Sequence, residues 1–248
     1  VDIKGKVAIV TGGGQGIGRA IVHALSNEDV ITIIVDINEQ TAKEVVKEVK
    51  DDGHEAISVK ADVSNLTDIK NMVKEVVDRY KTIDILVNNA GILHTTVIDD
   101  ISEQEWNRLM TVNLNGTFFT SQQVLPYMRE KRWGRIINMS SLAGRMGSYG
   151  GGVGYATTKA GIIGLTMCFA RQVAQYNITV NAVAPGTTET DIIKKIPDEK
   201  ITALKALIPM GRLGKPENTA DVVAFLASDK AEYITGAVID VNGGIFMG

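Results

Sequence analysis

The sequence predicts an α/β protein of three layers, a seven-stranded parallel sheet with helices covering both faces. Three observations carry that expectation. Apolar runs of strand length alternate with stretches of helical periodicity along all 248 residues. Those runs are nearly continuous in apolar and β-branched residues, the pattern of strands covered on both sides. No Pro/Ser-rich linker, low-complexity tract or exact repeat interrupts them, so residues 1–248 are expected to form a single domain.

The elements follow in order. Residues 7–10 are the first apolar run, ahead of a glycine-rich turn at 12–18 and a helical stretch at 19–27. Residues 30–35 read as the second strand, and residues 39–50 carry Ala42, Val45, Val46 and Val49 at helical spacing with charges opposite. A third strand is expected at 57–61. Ser64 is placed to cap the next helix, which shows Ile69, Val73, Val76 and Val77 on one side. A fourth strand at 83–87 precedes Ser102 and Glu105, which have the spacing of a capping box. The long helix they open is expected to reach about residue 128, with an interruption near Pro126. Strands at 135–139 and 178–184 enclose a helix at 155–175. Pro216 opens a helix that ends before Asp229, and residues 237–241 make the seventh strand. Residues 187–214 are the least regular, with the size of a substrate lid or of a static excursion.

Composition excludes several classes of function. With 44% hydrophobic residues, 29 acidic side chains against 26 lysines and arginines, and a net charge of −3, nothing points to a nucleic acid partner. One cysteine cannot form an internal disulfide, and three scattered histidines have no zinc-ligand spacing, so no metal is expected. No apolar run reaches the roughly 18 residues of a membrane span. The N-terminal residues run straight into a strand rather than a secretory signal, and a cytoplasmic location is expected.

The first chemical signal is Thr11-Gly12-Gly13-Gly14-Gln15-Gly16-Ile17-Gly18, between a strand and a helix. Gly12 can turn the chain off the strand, while Gly16 and Gly18 leave room where helix meets ligand and sheet. A helix N-terminus there offers free N–H groups to a pyrophosphate. Asp36 closes the second strand 24 residues after Gly12, near the spacing of a carboxylate that receives adenosine ribose hydroxyls. Such a carboxylate repels a 2′-phosphate, and Gln15, Ile37 and Asn38 offer no basic compensation, with Arg19 the nearest compensating charge in sequence. NAD(H) is therefore favoured over NADP(H).

The second signal is Tyr155 and Lys159, four apart on one helical face. A phenol titrates near about pH 10, and a nearby ammonium favours its phenolate. A tyrosine so placed can give a proton to a carbonyl or take one from an alcohol. Ser140 and Ser141 close the strand at 135–139, at the end where open α/β sheets hold ligands. Ser141 is expected to hydrogen-bond a substrate oxygen. Asn113 lies in the long helix, where a buried amide needs partners and can hold a lysine-bound water. Gly147, Gly150, Gly151, Gly152 and Gly154 make the segment before Tyr155 pliable.

Together these pieces resemble the short-chain dehydrogenase/reductase family: TGGGQGIG at 11–18, Asp62-Val63, NNAG at 88–91, Asn113, Ser141, YATTK at 155–159, and Pro185-Gly186 with Thr190. The resemblance implies a doubly wound Rossmann fold, a nicotinamide cofactor and an Asn113-Ser141-Tyr155-Lys159 site. Tyr155 is then the proton donor or acceptor, Ser141 orients the substrate oxygen, and Asn113 supports a water-linked relay. Lys159 binds nicotinamide ribose and lowers the tyrosine pKa. By the same likeness, Gly12, Gly14, Gln15, Gly16, Ile17, Gly18 and Asp36 hold the adenosine and pyrophosphate. Asp62 and Val63 border adenine, and Asn89, Ala90 and Gly91 flank the adenosine. Pro185, Gly186, Thr188 and Thr190 approach the carboxamide and pyrophosphate.

Within the family the chain is most similar to the 3-oxoacyl-[acyl-carrier-protein] reductases, through Gly211-Arg212-Leu213-Gly214, FLAS at 225–228, YITG at 233–236 and VNGG at 241–244. It departs from them at Gln15 and Asp36, where they are built for NADPH, and at Tyr176, where a second basic docking residue beside Arg132 is usual. Lys131, Arg132 and Arg135 still form a basic cluster in sequence that could meet an acidic acyl carrier protein. The alternative substrate is a small polyol, sugar or other secondary alcohol oxidised with NAD. A third reading is a non-catalytic, nucleotide-responsive regulator or scaffold.

Other residues carry weaker expectations. His94 is placed on the cleft rim or a surface loop, while His23 and His54 have no catalytic partner in sequence. Trp106 and Met110 suit core or a helix interface, and Trp133 a helix–strand turn. Cys168 is expected to be buried, and Met146 and Tyr149 to line the pocket. The last strand and the apolar tail to Gly248 suggest an edge covered by association. The resemblance implies a homotetramer, with the helices around 103–128 and 155–175 forming a second interface.

Overall fold

The computed structural model describes residues 3–147, 152–190 and 197–248. Its sheet is β1 (Val7–Thr11), β2 (Ile31–Asp36), β3 (Ala56–Lys60), β4 (Ile85–Asn88), β5 (Gly134–Met139), β6 (Ile178–Pro185) and β7 (Val238–Val241). The strand order is β3-β2-β1-β4-β5-β6-β7, parallel at every pairing. From β1 the chain winds outward through β2 and β3, then returns to β4 on the other side. That reversal opens a crevice at the C-terminal ends of β1 and β4, where doubly wound sheets bind ligands.

Strands β1 to β6 each feed two cores, because successive side chains point to opposite faces. Ala8 and Val10 join one cluster, closed by Ile21 and Leu25 of α1 (Gly16–Ser26), Val45 of α2 (Glu39–Asp51), and Val223 and Leu226 of α9 (Pro216–Ala227). Val7 and Ile9 join the other, closed by Met72 and Val76 of α3 (Leu66–Tyr80), Val124 of α5 (Gly116–Lys131) and Val173 of α7 (Val153–Val173). Among the described residues no helix is long and apolar enough to cross a membrane.

Several local expectations need correction. Asn65, not Ser64, caps α3: its side chain accepts from the N–H groups of Thr67 and Asp68 at 2.9 and 3.4 Å. Ser64 instead turns to Asp62. Only half of the Ser102–Glu105 box forms. Ser102 Oγ accepts from Glu105 N–H at 3.1 Å, opening α4 (Glu103–Leu109), but the Glu105 carboxylate goes to Thr96. The break in the long helix is not at Pro126, which lies inside α5. It is a π-helical turn, Met110–Asn115. Pro126 is exposed there. Two short helices escaped the sequence reading: α6 (Leu142–Met146) and α8 (Asp198–Ala206).

Cys168 is exposed rather than buried. The buried stripe of α7 runs through Gly154, Thr158, Ile162, Thr166 and Ala170, and Cys168 lies on the opposite face. Arg135 does not join a surface cluster with Lys131 and Arg132. It is 1% exposed in β5, with Nη2 3.2 Å from Asp229 Oδ1 and its guanidinium 4.3 Å from the Trp133 ring centroid. Trp133 packs against the core at the helix–strand turn, as expected.

Lys131 serves the sheet as well. Buried Asp84 accepts from Val7 N–H at 2.9 Å, from Thr82 Oγ1 at 3.2 Å and from Lys131 Nζ at 2.5 Å. This one carboxylate ties β1, the entry to β4 and the end of α5 together. Asp84→Ala leaves a buried N–H without a partner and is expected to cost about 2–3 kcal/mol. Urea unfolding should show a lower midpoint at unchanged slope; an unchanged midpoint contradicts this assignment.

Candidate active site

The glycine loop leaves β1 and enters α1 through a passage with no room for a side chain at Gly12, Gly14 or Gly18. A Cβ on Gly12, whose φ is +63°, would lie 2.9 Å from Ala90 Cα, and one on Gly18 would lie 2.0 Å from the Gly12 carbonyl oxygen. A Cβ on Gly14 would lie 2.5 Å from Thr41 Oγ1 and 2.9 Å from Asp36 Oδ2. Asp36 is fixed at this loop: Oδ2 accepts from Gly14 N–H and Oδ1 from Asn38 N–H, each at 3.0 Å. Gln15 is exposed and gives α1 no side-chain cap, so the first N–H groups of that helix keep their capacity for an anion. Ile17 packs on the core beneath. Thr190 reaches the same loop, its Cγ2 3.5 Å from where a Gly16 Cβ would stand.

The opposite lip comes from β4. Asn89 Nδ2 donates to the carbonyls of Thr11 and Gly12 at 3.0 Å, and the N–H groups of Asn89 and Ala90 donate to Thr11 Oγ1 at 3.0 and 3.1 Å. Asp62 Oδ1 accepts from the Ser64 hydroxyl and N–H. It also borders a cleft of about 260 Å³ with Ile37, Val59, Lys60 and Met72. Val63 backs onto α5, where a Gly116 Cβ would lie 3.0 Å from its carbonyl oxygen. Pro185 ends β6, Gly186 N–H donates to the Val241 carbonyl at 2.9 Å, and Thr188 Oγ1 donates to the Gly186 carbonyl at 3.1 Å. Arg19 is held by Glu48, Nε and Nη2 donating at 2.8 and 3.0 Å.

The polar centre lies where β5, α6 and α7 meet. Ser141 caps α6, its Oγ accepting from Ala143 N–H at 3.1 Å, and its hydroxyl lies close enough to the Tyr155 phenol to favour the phenolate. Lys159 is 5% exposed, and its Nζ donates to the Met139 carbonyl at 2.7 Å. That nitrogen is 5.7 Å from the Tyr155 ring centroid. Ser140 Oγ donates to the Lys159 carbonyl at 2.8 Å, fastening α7 to the end of β5. Asn113 is fully buried in the π-helical turn. Its Oδ1 accepts from Ile92 N–H at 2.8 Å, while Nδ2 donates to the Ile92 carbonyl and Thr158 Oγ1 at 2.9 and 3.1 Å. Gly91 separates amide from ammonium: a Cβ there would lie 3.2 Å from Asn113 Oδ1 and 3.6 Å from Lys159 Nζ.

The electrostatics differ from the expectation that Lys159 lowers the tyrosine pKa. Burial raises Tyr155, and the Ser141 hydrogen bond opposes it. Burial also pulls Lys159 from 10.5 down to about 8. The lysine spends its hydrogen bond on Met139, so the polar group beside the phenol is Ser141.

Other residues fall as follows. The His94 carbonyl accepts from Gly152 N–H at 2.8 Å, and its ring Nδ1 is 3.4 Å from Glu105 Oε1. Trp106 meets α7 at Gly154. Met146 is exposed. Tyr149, Gly150 and Gly151 lie outside the described residues, as do residues 191–196 of the 187–214 region. Sequence reasoning gave no role to Thr158, Thr11 or the Met139 carbonyl. Thr158 sits inside the YATTK motif, so its signal was present, but a backbone carbonyl leaves none.

The fold and this site define an oxidoreductase with a dinucleotide cradle, a phenol and a hydroxyl at the open end of the sheet. The glycine cradle, closed to a Cβ at Gly12, Gly14 and Gly18, and the fixed Asp36 carboxylate fit a nicotinamide dinucleotide. The family model for the short chain dehydrogenases matches residues 6–201. The chain is 42% identical to a 3-oxoacyl-[acyl-carrier-protein] reductase FabG of Thermotoga maritima, covering 99% of both. It is 43% identical to the protein of that name from Vibrio cholerae, covering 100% of both. Among solved structures, that of gox2181 superposes with a TM-score of 0.95 at 36% identity, over 98% of this chain and 96% of that one. The chain belongs to the short-chain dehydrogenase family, enzymes acting on CH–OH and C=O groups with NAD(P)H.

The lowered Lys159 pKa has a consequence for folding. Between about pH 8 and 10.5 the unfolded lysine carries a proton that the folded one sheds. Stability therefore rises with pH across that window, and the cost of the buried ammonium is fully present below it. The stability of the wild type relative to Lys159→Met is expected to increase by roughly 1–2 kcal/mol from about pH 7.5 to 9.5. Urea midpoints across that range measure it; a flat difference contradicts the shift.

Proposed function

We propose that the chain reduces the 3-keto group of an acyl thioester, preferring NADH to NADPH, with the acyl group delivered by an acidic acyl carrier protein. The observation that carries this reading is the apolar rim of the crevice. Leu93, Val97, Ile98, Met146, Leu207 and Met210 are all exposed. They sit on the segments after β4, around Ser141, and beside the Gly243 turn that follows β7, where Met210 N–H donates to the Gly243 carbonyl. Exposed apolar side chains on segments at the C-terminal end of the sheet suit an apolar chain. A polyol would find few hydrogen-bond partners among them. The full-length likeness to proteins named 3-oxoacyl-[acyl-carrier-protein] reductase supports the same substrate.

Gly12, Gly14, Gly16, Asp36 and Lys159 would hold the cofactor, which supplies the hydride when bound. The chain's own residues handle the proton. Tyr155 gives its phenolic proton to the substrate oxygen as that oxygen gains charge. Ser141 donates a hydrogen bond to the same atom and stabilises the charge as it develops. Asn113, spending its amide on Ile92 and Thr158, holds the loop and helix that face each other across the site. The preference for NADH follows from Asp36, which repels a 2′-phosphate, and from Arg19, whose charge is engaged by Glu48.

Two surfaces suit partners. The Arg129 and Arg132 guanidinium carbons lie 5.4 and 6.0 Å from the Tyr176 ring centroid, a basic-aromatic patch for an acidic carrier. Exposed Phe118 and Met167, on α5 and α7, suit a second copy of the chain within a homotetramer.

Acetoacetyl thioester and a panel of polyols, each assayed with NADH/NAD and NADPH/NADP, test the reading. The expected result is thioester reduction, faster with NADH. Prominent NAD-linked polyol oxidation with negligible thioester reduction overturns it. Tyr155→Phe is expected to lower kcat by about 10²–10⁴-fold while NADH still binds.

A further inference from the structure

Helix α6 packs against α7 and touches β6. It is five residues long with no buried side chain, and a helix that short is unstable alone. Yet its cap is Ser141, whose hydroxyl meets Tyr155. One anchor is Gly144, which lies flat on α7: a Cβ there would come 2.6 Å from the Lys159 carbonyl carbon. A second is Arg145. Its Nη2 lies 3.2 Å from Asp240 Oδ2 of β7, with the two side chains only 20% and 18% exposed. The same nitrogen donates to the Gly248 carbonyl at 3.4 Å, and the guanidinium carbon is 4.9 Å from the Phe246 ring centroid.

We propose that Arg145 is a positioning residue for the reaction: its pairing with Asp240, beside Phe246, ties α6 to the last strand and so fixes the Ser141 hydroxyl against Tyr155. Its partners are Asp240, Phe246 and Gly248, none of them a reacting group. Arg145 Nε and Asp240 Oδ1 are both buried without a hydrogen-bond partner. Losing either side chain therefore strands the other's charge in a poorly hydrated place. The relief open to the stranded partner is to swing toward water, and either way α6 loses its tie to β7. A small displacement of an oxygen that must meet a developing charge is costly to rate, though not to cofactor binding.

The inference rests on Ser141 and Tyr155 handling the proton as proposed above. The test is steady-state reduction of acetoacetyl thioester by the full chain carrying Ser141→Ala, Arg145→Met, Arg145→Lys, Asp240→Asn or the Arg145→Met/Asp240→Asn pair. NADH affinity is read by fluorescence titration and folding by circular dichroism. Arg145→Met and Asp240→Asn are expected to lower kcat by about 10-fold or more with NADH affinity unchanged. The double variant should be no slower than the worse single, as one shared interaction requires. Arg145→Lys, which keeps the charge, should recover part of the loss. If Arg145→Met fails to fold, Arg145→Lys and Asp240→Asn carry the same comparison. A slow Ser141→Ala beside an Arg145→Met or Asp240→Asn with wild-type kcat overturns the clamp alone. So does an NADH affinity that falls as far as kcat. Wild-type kcat in Ser141→Ala removes the proton-handling reading beneath it.

Discussion

The structure is organised around a lysine ammonium taken out of water and received by one carbonyl. Lys159 Nζ donates to Met139 at the end of β5, and a buried ammonium with a single neutral acceptor is an expensive group. Its cost appears as the pKa drawn down to about 8. The neighbouring backbone is arranged to keep it there. Ser140 fastens the Lys159 carbonyl to β5, Gly144 lies against the same peptide, and Gly91 leaves out a side chain that would crowd the nitrogen. The Gly144 contact is a close backbone approach that only glycine permits, and together the three fix where Tyr155, one helical turn earlier, can stand.

A second layer of buried polar groups holds that arrangement from behind. Thr158 donates to the Tyr155 carbonyl and receives Asn113, which in turn clasps Ile92 through both ends of its amide. Further down α5 and α7, Asn88 donates to Ser121 and Asn138, and Asn138 donates to Thr166. Each member is satisfied, so the network specifies one register of the helices on the sheet where apolar packing alone would tolerate several. The π-helical turn belongs to the same device. It adds a residue to the helix where Asn113 must face inward, as π-bulges do at functional sites.

How much of this could be read from sequence depends on what carried the information. The seven strands and their parallel arrangement were legible because nearly continuous apolar runs and helical stripes are properties of residue type. The motif residues were legible as a set, and the structure brings Ser141, Tyr155 and Lys159 to one end of the sheet. What escaped was geometry held by the backbone. The break in the long helix was expected at Pro126 because proline is the visible helix breaker, yet the irregularity lies where no residue type announces it. Arg135 and Cys168 were misplaced for a related reason. A charged residue in a basic run reads as surface and a cysteine among apolar residues reads as core, until strand direction and helix phase decide otherwise. Helix α6 was invisible because its stability is tertiary: a glycine contact, a serine cap and an ion pair to a distant strand.

The two pKa shifts have one cause and consequences that point the same way. Burial drives Tyr155 up and Lys159 down, each toward its neutral form. A tyrosine whose pKa is raised is almost wholly protonated at neutral pH, and so stands ready as an acid rather than as a base. That state suits protonation of a carbonyl oxygen. For the reverse reaction the phenolate must first be generated, against the same burial, with Ser141 the group whose hydrogen bond favours it. Direction is not set by this alone, since an enzyme cannot move an equilibrium. The resting protonation state is nevertheless the one a reductase needs, and the hydroxyl that Ser141 supplies has the larger role when the proton must travel the other way.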